Sequence, residues 1–488
     1  MGLRRRLIAS GVLCLLVYSG AALYGPFRPD RIEGFFFFFV AAFGLYALAT
    51  WAILVEPTPP TRSTLLIVFG FAVVFNGLLL PTSPTLSDDM YRYVWDGRVQ
   101  ANGVNPYRYP ANAPELSLLH DPTVWAHMNR PSAITVYPPA AELTFAAVWR
   151  IFPDSIVGMK LAMVAAVLLA GGLLLGVLQQ FGQNPARVLI FLWNPLLIFE
   201  VAHSGHVDAL YLPLIIGALW LRLKAPAVRT SLRYEIGIGL LIGLATLVKL
   251  YPLILLPALW SVQRATRRDW LYSLSLPAAA LVTIGIGYAL YIAPGVDTLG
   301  FLPSYSREFF NIAPVPMLLI QWAEGHHLAY YLPSSLLFPG LIGLVSLFFV
   351  IRPAKSAREA VLRGAWPIAV YLLVSINLFS WYVLWLLPFV AITLARAHWA
   401  ALGWWLFSGL VVLSYTLFIT GYAPTWTACW HWLRFRLCDL KGERLLNGHD
   451  QTCAVSCCQA AHARPNQNAL VATLVRRTSG GAVCVFLA

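Results

Sequence analysis

An all-α polytopic membrane protein is the fold class this sequence predicts, on three observations. Of its 488 residues, 59% are hydrophobic and only 11% are charged, with a mean hydropathy of +0.69. That composition is too apolar for a soluble domain of this length. Apolar runs long enough to cross a bilayer recur along the chain. The runs are continuous and do not alternate, which argues against a β-barrel. Taken together they predict a bundle of about 11–13 membrane helices.

The elements follow in order. Arg4, Arg5 and Arg6 precede the first apolar run. That run is too long for a signal peptide and lacks a small-residue cleavage site, so a retained span with a cytoplasmic N-terminus is expected. Spans starting near Leu7, Phe35 and Leu65 then make 82–155 an outer loop. A polar loop of this length is uncommon unless it has a function. Later spans start near Ile156, Val188, Ala209, Ile236, Leu271, Leu336, Trp366, Tyr382 and Ala400. Arg222, Lys224, Arg229 and Arg233 form one basic loop, and Arg352, Lys355, Arg358 and Arg363 another. Both fall on the cytoplasmic side, as the positive-inside rule requires. The net charge of +13 is therefore read as topology, with anionic lipid a secondary contact and no nucleic-acid partner.

One run needs a break. From Ile236 to Trp260 the chain reads as a single span, which would strand Arg264, Arg267 and Arg268 outside. Lys249-Leu250-Tyr251-Pro252 interrupts it, since proline disfavours helix in the residue before it. Two short helices meeting near the outer surface are predicted, and such broken helices line polar cavities. Gly239 and Gly243 mark close helix packing. Residues 1–424 form the membrane domain. The tail, 425–488, is rich in Cys, Arg, Asn and Gln and reads as a disordered extension or an out-of-frame stretch. Six of the seven cysteines lie beyond Thr427, so no disulfide or zinc framework supports the membrane body.

Chemistry concentrates at Ser87-Asp88-Asp89-Met90-Tyr91-Arg92-Tyr93-Val94-Trp95-Asp96-Gly97-Arg98. Acids at a membrane mouth are functional candidates by default. Ser87 or Asp88 would cap a short helix over 89–101, and Asp88 or Asp89 would serve as a general base. Asp96 falls two helical turns after Asp89, on nearly the same face. Gly103 suits a left-handed helix end and Pro106 stops continuation. Arg92, Arg98 and Arg108 could hold a phosphate bidentately. Lys249, an intramembrane cation beside a helix break, needs an anion such as a lipid phosphate. His203 and His206 lie three apart with Asp208 nearby. They read as a polar cavity wall, with a divalent metal the weaker alternative because no third strong ligand is identifiable, and no cofactor is expected to be required. Trp381 and Tyr382 read as an aromatic belt, with stacking on a sugar or prenyl chain the weaker reading. Arg307, Glu308, His326 and His327 carry less weight. Nothing matches a P-loop, a zinc-protease helix or a dinucleotide fingerprint.

The order of motifs resembles a known family. Asp88-Asp89, Tyr91, Gly103-x-Asn105-Pro106-Tyr107 and Tyr137-Pro138-Pro139 look like the first outer loop of the GT-C glycosyltransferases. Gly205-His206-x-Asp208-Ala209-Leu210, Leu247-Val248-Lys249-Leu250-Tyr251-Pro252 and Trp381-Tyr382-x-x-Trp385-Leu386-Leu387-Pro388 continue the likeness, which spans roughly Leu7 to Thr420. It is most similar to the polyprenol-phosphate-mannose-dependent mannosyltransferases, including the bacterial α-mannosyltransferases of family 87 and the GPI mannosyltransferase I group. The resemblance implies a polyprenyl-monophosphate sugar donor used outside the cytoplasm, a lipid or glycan acceptor, and an acid of the first outer loop as base, Asp89 or Asp88. Taken with the residue readings, it predicts a substrate cavity holding Tyr91, Asp96, Tyr107, His203, His206, Asp208, Tyr251, Trp381 and Tyr382, in a multi-pass protein of the cytoplasmic membrane with its site facing outward. The rival reading is a transporter or flippase of polyprenyl-linked sugars, which would show internal repeats; none is evident. A third is a ligase that moves a whole glycan from a polyprenyl diphosphate.

Overall fold

The computed structural model describes residues 2–28, 31–56, 60–226, 231–260, 266–306, 313–326, 331–395 and 398–415. The chain divides into a unit over Met1–Ala428 and a second over Cys429–Ala488. The tail, together with Arg229, Arg264, Arg307, Glu308 and His327, lies outside the described residues. Among the described residues every regular element is helical, as the composition requires.

Three helices open the chain: α1 (Leu3–Tyr24), α2 (Ile32–Leu54) and α3 (Arg62–Leu79). The Thr61 hydroxyl accepts the Thr64 N–H and caps α3. Two shorter helices then frame the 82–155 loop, α4 (Asp89–Ala101) and α5 (Pro139–Ile151), and α6 (Ile156–Gln180) returns to the bundle. The helix over 89–101 forms with the boundaries its sequence predicts. Gly97 lets α4 and α5 touch, because a Cβ there would sit 2.6 Å from the Phe145 carbonyl oxygen.

The membrane body is less regular than a dozen full spans. Among the described residues, five helices are individually long and apolar enough to cross: Leu3–Tyr24, Ile32–Leu54, Arg62–Leu79, Ile156–Gln180 and Arg267–Ala289. The pair Pro185–Leu192 and Pro195–His203, bent by 56°, is long and apolar enough to cross only if its two helices count as one span. The other expected spans are shorter or interrupted. Tyr251–Trp260, Leu337–Ile351, Ser380–Thr393 and Trp399–Ser414 are apolar but short. Asp208–Lys224 carries charge at both ends. Prolines and polar residues explain the difference, since each ends or kinks a helix where the hydropathy alone runs on.

The predicted break is present. Leu232–Val248 ends at Lys249, whose backbone is extended, and the chain rewinds as Tyr251–Leu255 and Leu256–Trp260. Gly239 and Gly243 admit the neighbouring helix as expected. Added Cβ atoms would meet the Leu276 carbonyl oxygen at 2.3 Å and the Ala280 carbonyl oxygen at 2.9 Å. The basic loop expected at 222–233 is partly internal, because Arg222 is buried and makes a two-pronged pair with Glu235, at 2.8 and 2.7 Å.

Candidate active site

A cavity of about 840 Å³ opens where the 82–155 loop, the break at Lys249, the 301–306 turn and the Ser375–Tyr382 segment converge. Its lining is chemically mixed. Asp88, Asp89, Arg92, Asn129 and Arg130 supply polar groups and Leu253, Ile254, Pro257, Phe338 and Ile342 apolar ones, with Lys249 and Tyr251 also in the wall. Phe338, Ile342 and Ser346 recur every four residues, so one helix face supplies them.

The two acids stand at the start of α4 as local rules dictate. The Ser87 hydroxyl accepts the Asp89 N–H at 3.3 Å, and Asp88 occupies the cap position without a side-chain capping bond. Asn129 bridges the pair, its Nδ2 donating to Asp88 Oδ1 and to Asp89 Oδ1, both at 2.8 Å. Asp88 is open to the cavity but surrounded by protein. Desolvation, and then the charge of Asp89, push its carboxyl above the ordinary range. Asp89 lies deeper, half-buried. Arg130 has a left-handed backbone, φ 48°, uncommon for a non-glycine residue and frequent at functional sites. Its guanidinium lies over the Phe301 ring, 5.3 Å from the centroid.

Lys249 is held where the helix breaks. Its Nζ donates to both oxygens of buried Asp208, at 3.0 and 2.9 Å, and stands 4.1 Å from the Tyr382 ring centroid. Tyr211 also donates to Asp208 Oδ1, at 2.6 Å. Tyr251, Trp381 and Tyr382 line the cavity.

Several expected residues are placed elsewhere. Arg92 lines the cavity, but its Nε donates to both Asp96 oxygens, at 2.9 and 3.0 Å, and its Nη1 to the Ala133 carbonyl. Arg98 is not in the lining. Asp121 at 2.7 Å and Asp154 at 2.8 Å occupy its guanidinium, which ties the loop ends together. Arg108 is exposed and lies against Tyr109, outside the lining. Asp96 faces away from the cavity into a buried group with Thr135 and Glu142. The Thr135 hydroxyl stands 2.8 Å from Asp96 Oδ2 and 2.7 Å from Glu142 Oε1. One hydroxyl has a single proton to give, and Arg92 is the cation bonded to Asp96. Burial, and then the charge of Asp96, raise Glu142 far above the carboxyl range, so it is the protonated partner. Tyr91 stacks on His127, and Tyr107 is buried, donating to the Tyr137 carbonyl at 2.7 Å. His203 binds the Thr82 hydroxyl at 2.9 Å, and Asp208 lies behind Lys249. None of these lines the cavity.

His206 also stands behind the lining, against Asp89. The segment Phe199–His203 is wound as a π-helical turn, a form that recurs at functional sites. Gly205 then takes φ 79°, and the His206 N–H donates to the Glu200 carbonyl at 2.9 Å. Asn129, Arg130 and Glu200 carry no motif, and sequence reasoning missed them. The signal that could have found the first two is an Asn-Arg-Pro turn inside a long polar loop. Among the described residues, no group of three or more His, Cys, Asp or Glu gathers as metal ligands.

Residues 23–264 match the family model described as alpha-(1->6)-mannopyranosyltransferase, N-terminal domain. Over these residues, just under half of the chain, the sequence is similar to that mannosyltransferase family. The protein is therefore a glycosyltransferase, and the matched segment holds Asp88, Asp89, His206 and Lys249. No curated protein and no solved structure matches the chain.

Proposed function

We propose that this mannosyltransferase takes mannose from a polyprenyl-monophosphate donor. It passes the sugar to a lipid or glycan acceptor on the extracytoplasmic side of the cytoplasmic membrane, with Asp89 as general base. The observation that carries this reading is one cavity holding a carboxylate pair, cations and an apolar trough. The trough along Leu253, Ile254, Pro257, Phe338 and Ile342 suits a prenyl chain, whose burial is favourable in proportion to apolar area. Lys249 and Arg130 suit the phosphate, because cations stabilise charge that grows on a leaving group. Lys249 Nζ has three donors and Asp208 takes two of them. The basic loops at 222–233 and 352–363 support the orientation through the positive-inside rule.

The acceptor hydroxyl gives its proton to Asp89 as its oxygen attacks the anomeric carbon. The bond from that carbon to the phosphate oxygen breaks through an oxocarbenium-like state. Polyprenyl phosphate leaves, and a single displacement inverts the anomeric centre. No step of this displacement calls for a metal. Asp89 is preferred to Asp88 because it lies deeper and backs onto His206, while Asp88 is pushed toward its neutral form. The test is transfer from labelled polyprenyl-phosphate mannose in membranes carrying each variant. Asp89→Asn should lose about 10²–10⁴-fold in rate, the usual contribution of a general base, and Asp88→Asn much less. Full activity in both would remove the proposed base.

A further inference from the structure

His206 is 1% exposed, and it stands between two carboxylates that approach its opposite ring nitrogens. Nδ1 lies 3.8 Å from Asp89 Oδ2, and Nε2 lies 3.2 Å from Glu200 Oε2. Neither nitrogen is in full hydrogen-bond geometry, although a buried ring nitrogen left unsatisfied is unfavourable. Contacts of this kind are often loose without substrate and tighten in the reacting complex. The ring is fixed from its face by Trp381, stacked at 3.7 Å and 16°. Glu200 is fixed in turn, because the Tyr415 hydroxyl reaches both its oxygens, at 3.0 and 2.9 Å. On the other side Asn129 holds Asp89 by Oδ1, so the edge facing His206 is the free one. His206 does not approach Asp88 within ion-pair distance, although the two acids share Asn129.

We propose that His206 is a positioning residue for Asp89, itself oriented by Glu200, and that this contact selects Asp89 over Asp88 as the base. The inference rests on the reading of Asp89 given above. A donor at Nδ1 anchors Asp89 by Oδ2 while Asn129 anchors it by Oδ1, which fixes the plane of the carboxylate for the attacking hydroxyl, and Glu200 and the Trp381 stack fix the ring. The same logic orients metal-bound histidines, where loss of the supporting partner lowers function about 10–100-fold.

The test uses the full-length protein in membranes of cells lacking their own copy, with labelled polyprenyl-phosphate mannose titrated to separate kcat from donor KM. His206→Phe keeps a ring for Trp381 but has no donor. It should lower kcat about 30-fold, within the range a lost supporting partner causes, with donor KM nearly unchanged. An Asn amide nitrogen falls near the Nδ1 position and a Gln amide nitrogen near Nε2. His206→Asn should therefore recover kcat relative to His206→Phe, and His206→Gln should not. Should the Phe variant fold poorly, the Asn and Gln pair decides alone. A Phe variant with wild-type kcat overturns the proposal, as do Asn and Gln variants of equal kcat. Asp89→Asn runs in the same series. If it stays active, the base assignment fails whatever His206 does; if it is inactive while His206→Phe is active, only the positioning role fails.

Discussion

At the scale of single residues, charge pairing decides what this site tolerates. Asp208 is fully buried and Lys249 is its counter-ion. Removing one member of a buried pair leaves an uncompensated charge and is destabilising by about 3–5 kcal/mol. Lys249→Met should therefore lose both stability and transfer. The double variant Lys249→Met with Asp208→Asn should regain stability without regaining transfer. Thermal unfolding in detergent and the labelled-donor assay read the two effects separately, and a double variant that transfers sugar would acquit Lys249 of any phosphate role. Arg130 gives the opposite pattern. Its left-handed backbone favours glycine, so Arg130→Gly should change stability by no more than about 1 kcal/mol while donor KM rises.

At the scale of elements, α4 and α5 pack together and bury Glu142 beside Asp96, with the Thr135 hydroxyl between them. Glu142 has its carboxyl raised far above the ordinary value of 4.5 by burial and by Asp96. A group raised in the folded state contributes stability that is complete below its unfolded value and is lost as pH rises through the folded one. The wild type should therefore lose thermal stability on the alkaline side, and Glu142→Gln, which keeps the neutral shape, should lose less. Equal pH profiles for the two proteins would count against a raised Glu142 carboxyl. Capping and proline rules made α4 and the break at Lys249 readable from the sequence, because both depend on neighbours within a few residues. The same helical spacing put Asp96 on the face of Asp89, but it could not reveal that α5 covers the position of Asp96. Arg98 was misplaced for a similar reason. Asp121 and Asp154, which occupy it, lie 23 and 56 residues away along the chain, and no local pattern links them. Tyr107 and His203 have the composition of cavity residues, and long-range bonds to Tyr137 and Thr82 turn them into supports.

At the scale of the whole molecule, the apolar trough predicts selectivity for the length of the donor's lipid. Ile342→Trp would fill it on the face shared with Phe338. Donor KM should rise about tenfold or more for a long-chain polyprenyl donor, the equivalent of roughly 1.4 kcal/mol of lost apolar contact. A geranyl-phosphate analogue should be little affected, and an equal rise for both donors would disconnect the trough from the lipid. The cavity is roofed from the C-terminal half. The Phe301 N–H donates to the Thr135 carbonyl at 3.2 Å, next to Gly300, where an added Cβ would strike the same oxygen. Phe338, Trp381 and Tyr382 also come from beyond residue 264, where the family match ends. A fragment cut at that boundary would keep the acids, the lysine and Tyr251 but lose the Phe301 turn, Phe338, Trp381 and Tyr382. The proposed site draws on two parts of the chain, and supplying them as separate polypeptides should restore turnover only if the seam at Thr135 can re-form.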